Sequence, residues 1–105
     1  MDATNDIFVG LIRLHILLHA VDGDIFGFGM IQELRRHGYE LSPGTLYPIL
    51  HRLETRGLLT SRKKTVDGRI RRVYRATPDG RRALGDAKAK VRELFSECRW
   101  RGWGR

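Results

Sequence analysis

Apolar residues between Ile7 and Val21 occupy nearly every direction of a helix. This pattern predicts a first helix over residues 7–21, capped by Asn5 or Asp6 and ended by the turn-forming segment Asp22-Gly23-Asp24. A helix with such a wide apolar surface must be covered on more than one side. We expect its own domain to cover one side and a second copy of the chain, or another long helix, to cover the other.

A second, shorter helix is predicted from Phe28 to His37, because Met30, Ile31 and Leu34 recur at helical spacing. Gly38 follows and is typical of the left-handed residue that closes a helix. The polar residues of this segment then face water.

A third helix is predicted to begin where Ser42 is followed by Pro43, a capping residue before a first-turn proline, and to end at Arg56. Pro48 lacks an amide hydrogen, so we expect a local distortion near the helix start. The apolar residues form one stripe at i, i+3, i+4 and i+7: Leu46, Ile49, Leu50 and Leu53. The opposite flank carries Thr45, Tyr47, His51 and Arg52. A different rotation, with Tyr47 and His51 on the core side, remains open.

Two strands, Leu58 to Val66 and Arg69 to Thr77, are predicted to form a hairpin, since Asp67-Gly68 suits the positive φ angles of a tight turn. Thr77-Pro78 repeats the cap-plus-proline pattern and begins a last helix that ends near Cys98. Its apolar residues alternate spacings of three and four: Leu84, Ala87, Val91, Leu94 and Cys98. Two heptads are too short for a free coiled coil, so this seam should pack on the first helix and mediate dimerisation.

The chain has 105 residues, 41% of them hydrophobic, which indicates one small folded domain. Its net charge of +8 is unevenly distributed. Eleven basic and three acidic residues lie between Arg52 and Arg82, so this segment carries the whole positive excess. Such segregation indicates a surface that binds a polyanion.

A single cysteine, Cys98, cannot form an intramolecular disulfide, and the N-terminus carries Asp2 and Asp6 where a secretory signal has basic residues. We therefore expect a cytoplasmic protein. The apolar run from Ile7 to Val21 is shorter than the roughly 20 residues that cross a bilayer. No membrane span is expected.

The predicted order of elements is that of a winged helix-turn-helix, a mainly α (α+β) fold with a two-stranded β-wing and a C-terminal dimerisation helix. We divide the chain into a DNA-binding domain over 1–80, a dimerisation helix over 81–98 and a flexible basic tail over 99–105. The third helix is expected to read the major groove of double-stranded DNA and the wing to contact its backbone. The predicted DNA-binding residues are Ser42, Thr45, Tyr47, His51, Arg52, Lys63, Lys64, Arg69, Arg71 and Arg72. The predicted homodimer interface comprises Phe8, Leu11, Leu14, Leu84, Ala87, Val91, Leu94, Phe95 and Cys98.

The segment from Ser42 to Leu59, followed by Gly68-Arg69 and by Arg72 to Gly80, closely resembles the PadR family of bacterial transcriptional regulators. The resemblance extends over roughly Ile7 to Phe95. It implies a homodimer in which the last helix packs on the partner's first, and repression at an inverted repeat. For some members it also implies an aromatic or drug-like effector. Aromatic residues that could line an effector pocket are Phe8, Phe26, Trp100 and Trp103.

Other kinds of site have weaker support. His15 and His19 stand at i and i+4, a spacing that can hold a metal, with His37, His51 and Cys98 as conceivable further ligands. Without a recognised metal motif we interpret the histidines as a polar helix edge and expect neither a metal nor a cofactor. The chain lacks a nucleophile elbow and a phosphate loop, so we expect no catalysis. Two alternatives to DNA binding are a winged helix that binds RNA and a module whose basic hairpin docks an acidic protein.

Overall fold

The computed structural model describes residues 3–102, with side chains from Asp6 onward. Within this range the chain forms four α-helices and a three-stranded antiparallel sheet, which confirms the predicted α+β winged-helix fold. The elements are α1 (Ala3–Asp22), β1 (Ile25–Phe26), α2 (Gly27–Arg36), α3 (Pro43–Thr55), β2 (Leu59–Val66), β3 (Arg69–Ala76) and α4 (Pro78–Trp100).

Helix α1 begins at Ala3, so Asn5 and Asp6 lie inside the helix and the predicted cap at these residues is wrong. Its domain covers only one side, because Ile16 is fully buried whereas Ile7 is 64% exposed and Leu18 is 44% exposed. The expected uncovered apolar surface is therefore present on the helix.

Helices α2 and α3 lie close to their predicted bounds. Gly38 has a φ of 90°, which confirms the left-handed closure after α2. The predicted stripe of α3 is confirmed, because its four apolar residues are all buried in the core: Leu46, Ile49, Leu50 and Leu53. Pro48 lies within the helix, as expected.

The sheet contains one strand more than predicted. Strand β1 pairs with β3 through Ile25–Tyr74 and Phe26–Val73, and the strand order is β1-β3-β2. A two-residue strand is too short to show an alternating pattern, and it forms only because β3 supplies a distant partner. The hairpin turn matches its prediction, with φ of 51° at Asp67 and 75° at Gly68.

Helix α4 is joined to the domain at its first turn. The Thr77 hydroxyl accepts a hydrogen bond from the Gly80 amide at 3.0 Å, the capping contact that the sequence predicts. Leu84 belongs to the hydrophobic core, but the helix continues to Trp100, so the molecule is 53 Å long and 28 Å wide. Arg99 and Trp100 are helical, not part of a flexible tail, and residues 103–105 lie outside the described range.

Across residues 3–102, no helix combines the length and the hydropathy that a bilayer crossing requires.

Candidate nucleic-acid interface

Helix α3 exposes the side opposite its buried stripe. His51 and Arg52 are exposed, and Tyr47 is 45% exposed. Tyr47 leans over the start of α2, where a Cβ added to Gly27 would lie 2.4 Å from its hydroxyl oxygen. Thr45 and Arg52 border a hollow of about 610 Å³ that is also lined by the first half of α1. The predicted outer flank is therefore solvent-accessible, but Tyr47 lies towards α2 whereas Thr45 and Arg52 lie towards α1.

The N-terminus of α3 begins beside two exposed hydroxyl groups. Ser42 occupies the capping position, with its carbonyl oxygen accepting the amides of Thr45 and Leu46 at 3.0 Å each. Its side chain makes no capping bond and lies 3.3 Å from the Thr45 hydroxyl. The predicted side-chain cap is therefore wrong. The first amides of a helix carry partial positive charge, so this end suits an anion.

The basic side chains of the wing are divided between the two faces of the sheet. The β2–β3 register pairs Lys63 with Arg72, and side chains paired in this way lie on the same face. Lys64 pairs with Arg71 on the opposite face. The predicted DNA-binding residues of the wing therefore do not form one surface, because alternate residues of a strand point in opposite directions.

Asp24 holds three basic side chains at the base of the wing. Its carboxylate accepts hydrogen bonds from Arg62 at 2.7 Å, Arg75 at 3.1 Å and Lys64 at 3.3 Å. The hydrogen bond from Arg62 is the main cause that lowers the pKa of Asp24, and partial burial opposes it. Lys64 is thus tied to an acid of the same chain, which weakens its predicted role as a DNA contact.

A chain of hydrogen bonds links the other face of the wing to α3. Arg72 donates to the Ser61 hydroxyl at 3.0 Å, and that hydroxyl donates to the Glu54 carboxylate at 2.7 Å. Tyr74 is the strand partner of Ser61. Its burial is the main cause that raises the pKa of its hydroxyl, and the negative charge of Glu54 raises it further. The guanidinium of Arg72 is therefore positioned relative to the C-terminal half of α3.

Five residues of this interface were not predicted from the sequence: Asp24, Glu54, Ser61, Arg62 and Arg75. Residues two apart in a strand lie on the same face, so the sequence did indicate that Arg62 and Lys64 lie side by side. The involvement of Asp24 could not be foreseen, because it requires the pairing of β1 with β3.

Part of the predicted dimer interface lines a groove of about 500 Å³ between α1 and α4: Leu11, Leu14, Leu84, Val91 and Phe95. Val91 is 46% exposed, Leu94 is 60% exposed and Phe95 is 59% exposed. Leu84 differs, because it is only 8% exposed and belongs to the monomer core. The remaining residues that line the groove are His15, Leu18, Lys88 and Arg92. Phe8 is 43% exposed on α1, whereas Ala87 and Cys98 are half-buried.

The aromatic residues considered for an effector pocket do not converge in the described part of the chain. Phe8 packs edge-on against Tyr39 with ring centroids 5.9 Å apart. Trp100 is 87% exposed near the far end of α4, Phe26 is half-buried in β1, and Trp103 lies outside the described residues.

Comparisons with known proteins agree with the geometry. Residues 16–86 match the family described as the Transcriptional regulator PadR-like family. Transcriptional regulator Rv3488 of Mycobacterium tuberculosis is 59% identical over 86 residues, which cover 82% of this chain and 80% of that protein.

Solved structures show the same fold. A PadR family regulator from Eggerthella lenta aligns with a TM-score of 0.77 and 28% identity. The alignment covers 90% of this chain and 83% of the Eggerthella lenta chain. Bacillus subtilis PadR in complex with operator DNA aligns with a TM-score of 0.64 and 20% identity, covering 72% of this chain and 45% of its own.

Proposed function

The chain belongs to the PadR-like family of transcriptional regulators, and we propose that it acts by binding double-stranded DNA as a homodimer. One observation carries the proposal. The entire excess of +8 charges lies between Arg52 and Arg82, which the fold distributes over the end of α3, the wing and the start of α4. A duplex carries one negative charge for roughly each 1.7 Å of its axis, so its backbone offers phosphates to basic side chains on both faces of the wing.

Helix α3 acts as the recognition helix in this proposal. Its 13 residues span about 20 Å, and a major groove about 12 Å wide admits a helix. Tyr47 and His51 face base edges, Thr45 and Arg52 contact the border of the groove, and Ser42 binds a phosphate beside the helix N-terminus.

The wing contacts the DNA backbone. Lys63 and Arg72 lie on the face that is linked to α3, so they bind phosphates next to the recognition helix. Arg69 and Arg71 on the opposite face reach phosphates beyond the hairpin tip. Lys64 supports the wing through Asp24 instead of contacting DNA.

Dimerisation is supported by the apolar groove between α1 and α4, since a monomer would leave Val91, Leu94 and Phe95 in water. A two-fold dimer presents two recognition helices and therefore selects an inverted repeat. We propose repression as the direction of regulation. We also propose an aromatic effector that enters the apolar groove, where it can alter the spacing of the two recognition helices.

Selection of binding sites from random DNA duplexes tests this function. We expect enrichment of a palindrome whose half-sites are about one or two helical turns apart. Salt-matched competition with single-stranded and A-form RNA is the companion measurement. Equal or tighter binding of RNA, or failure to enrich any duplex motif, would contradict the proposal.

A further inference from the structure

Three side chains from two helices converge on one point away from the wing. His19 lies in the last turn of α1, Glu33 lies in α2, and His37 follows the end of α2. Their ligand atoms all lie within 4.8 Å of one another. Both imidazole Nε2 atoms approach the same carboxylate oxygen, Oε1 of Glu33, from His19 at 3.6 Å and from His37 at 3.5 Å.

These two distances are closer to the spacing of metal ligands than to that of hydrogen-bond partners. An N–H···O hydrogen bond spans about 2.7–3.2 Å, so both contacts are too long for one. Ligand atoms placed about 2.1 Å from a tetrahedral metal ion are separated by about 3.4 Å, which is close to both observed values. The side chains are therefore already separated as ligands around an ion would be.

The surroundings of the cluster support this arrangement. The Arg36 guanidinium lies 3.4 Å from the other carboxylate oxygen of Glu33, which leaves Oε1 directed at the histidines. This guanidinium is 77% exposed, so water screens its charge. The ring of His15 stacks on that of His37, with centroids 4.5 Å apart, and restricts its orientation.

We propose that His19, Glu33 and His37 form a binding site for one divalent transition-metal ion of the zinc type. Two imidazole nitrogens and one carboxylate oxygen suit zinc, cobalt, nickel and copper better than calcium or magnesium. The partly exposed cluster leaves a fourth position for water. A bound ion would link the end of α1 to the end of α2. This site is separate from the proposed DNA-binding residues, and the proposed DNA binding does not depend on it.

The site differs from the pair that the sequence suggested. His15 and His19 are spaced correctly on one helix, but His15 stacks on a ring instead of joining the converging atoms. The residues that complete the cluster come from α2 and its C-terminus, so no single helix contains the site.

Calorimetric titration of the full, tag-free chain with Zn²⁺ and with Co²⁺ at pH 7 tests this inference. We expect one ion per chain, a visible Co²⁺ absorption typical of tetrahedral coordination, and a rise in the thermal midpoint. The variants are His19→Gln, Glu33→Gln and His37→Gln. Each removes a ligand and should weaken affinity by more than the roughly 10- to 100-fold that loss of a supporting residue costs.

Matched controls are Glu40→Gln, an exposed acid beyond α2, and His51→Gln, an exposed histidine on α3, compared for metal affinity alone. Both should bind Zn²⁺ as the unmodified chain does. Circular dichroism without metal verifies that every variant is folded. Absence of Zn²⁺ and Co²⁺ binding by the unmodified chain, or equal affinity in the three ligand variants, would overturn the site.

Discussion

At the scale of single residues, two acidic side chains bind some of the basic residues of the wing and leave the others exposed to solvent. Asp24 binds Arg62, Lys64 and Arg75, whereas Glu54 binds Ser61 and through it Arg72. Five basic residues of the hairpin were predicted from sequence alone to contact DNA. The alternation of residues along a strand does not show which of its faces lies next to an acidic side chain of the same chain. For Lys64 the counter-charge is Asp24, which lies 40 residues earlier in the sequence.

Asp24→Asn should reduce the acid sensitivity of the fold. The folded pKa of Asp24 lies below its ordinary value of 3.8, so the stabilisation is complete above that value and is lost as the pH falls through the lowered pKa. The free energy of unfolding, measured in urea from pH 6 to pH 3, should therefore fall less steeply below pH 4 in the variant. Asp86→Asn, which changes an exposed acid on α4, is the control. Parallel pH profiles for Asp24→Asn and the unmodified chain would contradict the role of this carboxylate.

Arg72→Ala should weaken binding to all DNA sequences, because a phosphate contact carries no base information. Loss of one such contact lowers the slope of log affinity against log salt by about 0.9. Fluorescence anisotropy over a salt series measures this slope. Lys90→Ala removes an exposed charge from α4 and should leave the slope unchanged. Identical slopes for Arg72→Ala and Lys90→Ala would remove Arg72 from the interface.

At the scale of elements, the helices could be predicted because each has its own periodicity and boundary residues. The stripe from Leu46 to Leu53 and the left-handed Gly38 were both present in the sequence before any contact was known. Strand β1 could not be predicted, since two residues carry no period and its stability comes from β3. The direction of Tyr47 was also undetermined, because its ring occupies the space that Gly27 leaves by having no side chain.

Gly80 is required where α4 approaches the start of β2. An added Cβ would lie 2.1 Å from the Leu58 carbonyl oxygen, and this backbone is fixed by its own bond to the Thr77 amide at 3.2 Å. Gly80→Ala should therefore destabilise the fold by roughly 1–3 kcal/mol, the usual cost of overpacking.

Gly85 in the same helix is the matched control, because its added Cβ would meet no atom within 4 Å. Gly85→Ala should stabilise the chain by about 0.5–1 kcal/mol through helix propensity. Chemical denaturation of both variants tests the contrast. A neutral or stabilising effect of Gly80→Ala would show that α4 can shift away from β2.

At the scale of the whole molecule, the apolar surface is larger than one chain can cover. Helix α4 continues more than four turns beyond Leu84, its last buried apolar residue, and α1 exposes Ile7 and Leu18 on the side away from the core. The sequence predicted both features, because α1 is apolar in nearly every direction and the apolar residues of α4 recur at spacings of three and four. The arrangement of two copies in the proposed dimer could not be predicted, since it depends on how the grooves fit together.

Val91→Asp should convert the proposed dimer to a monomer, because Val91 lies in the groove between α1 and α4 and a buried, unpaired carboxylate is costly. The monomer should remain folded, since the valine is 46% exposed within one chain and takes no part in the hydrophobic core. Glu93→Gln changes an exposed acid two residues along the same helix and should leave the dimer intact. Sedimentation equilibrium gives the mass of each variant. Because a monomer presents only one recognition helix, Val91→Asp should also lose preference for a palindrome over a single half-site. A Val91→Asp protein that sediments as a dimer would place the interface elsewhere.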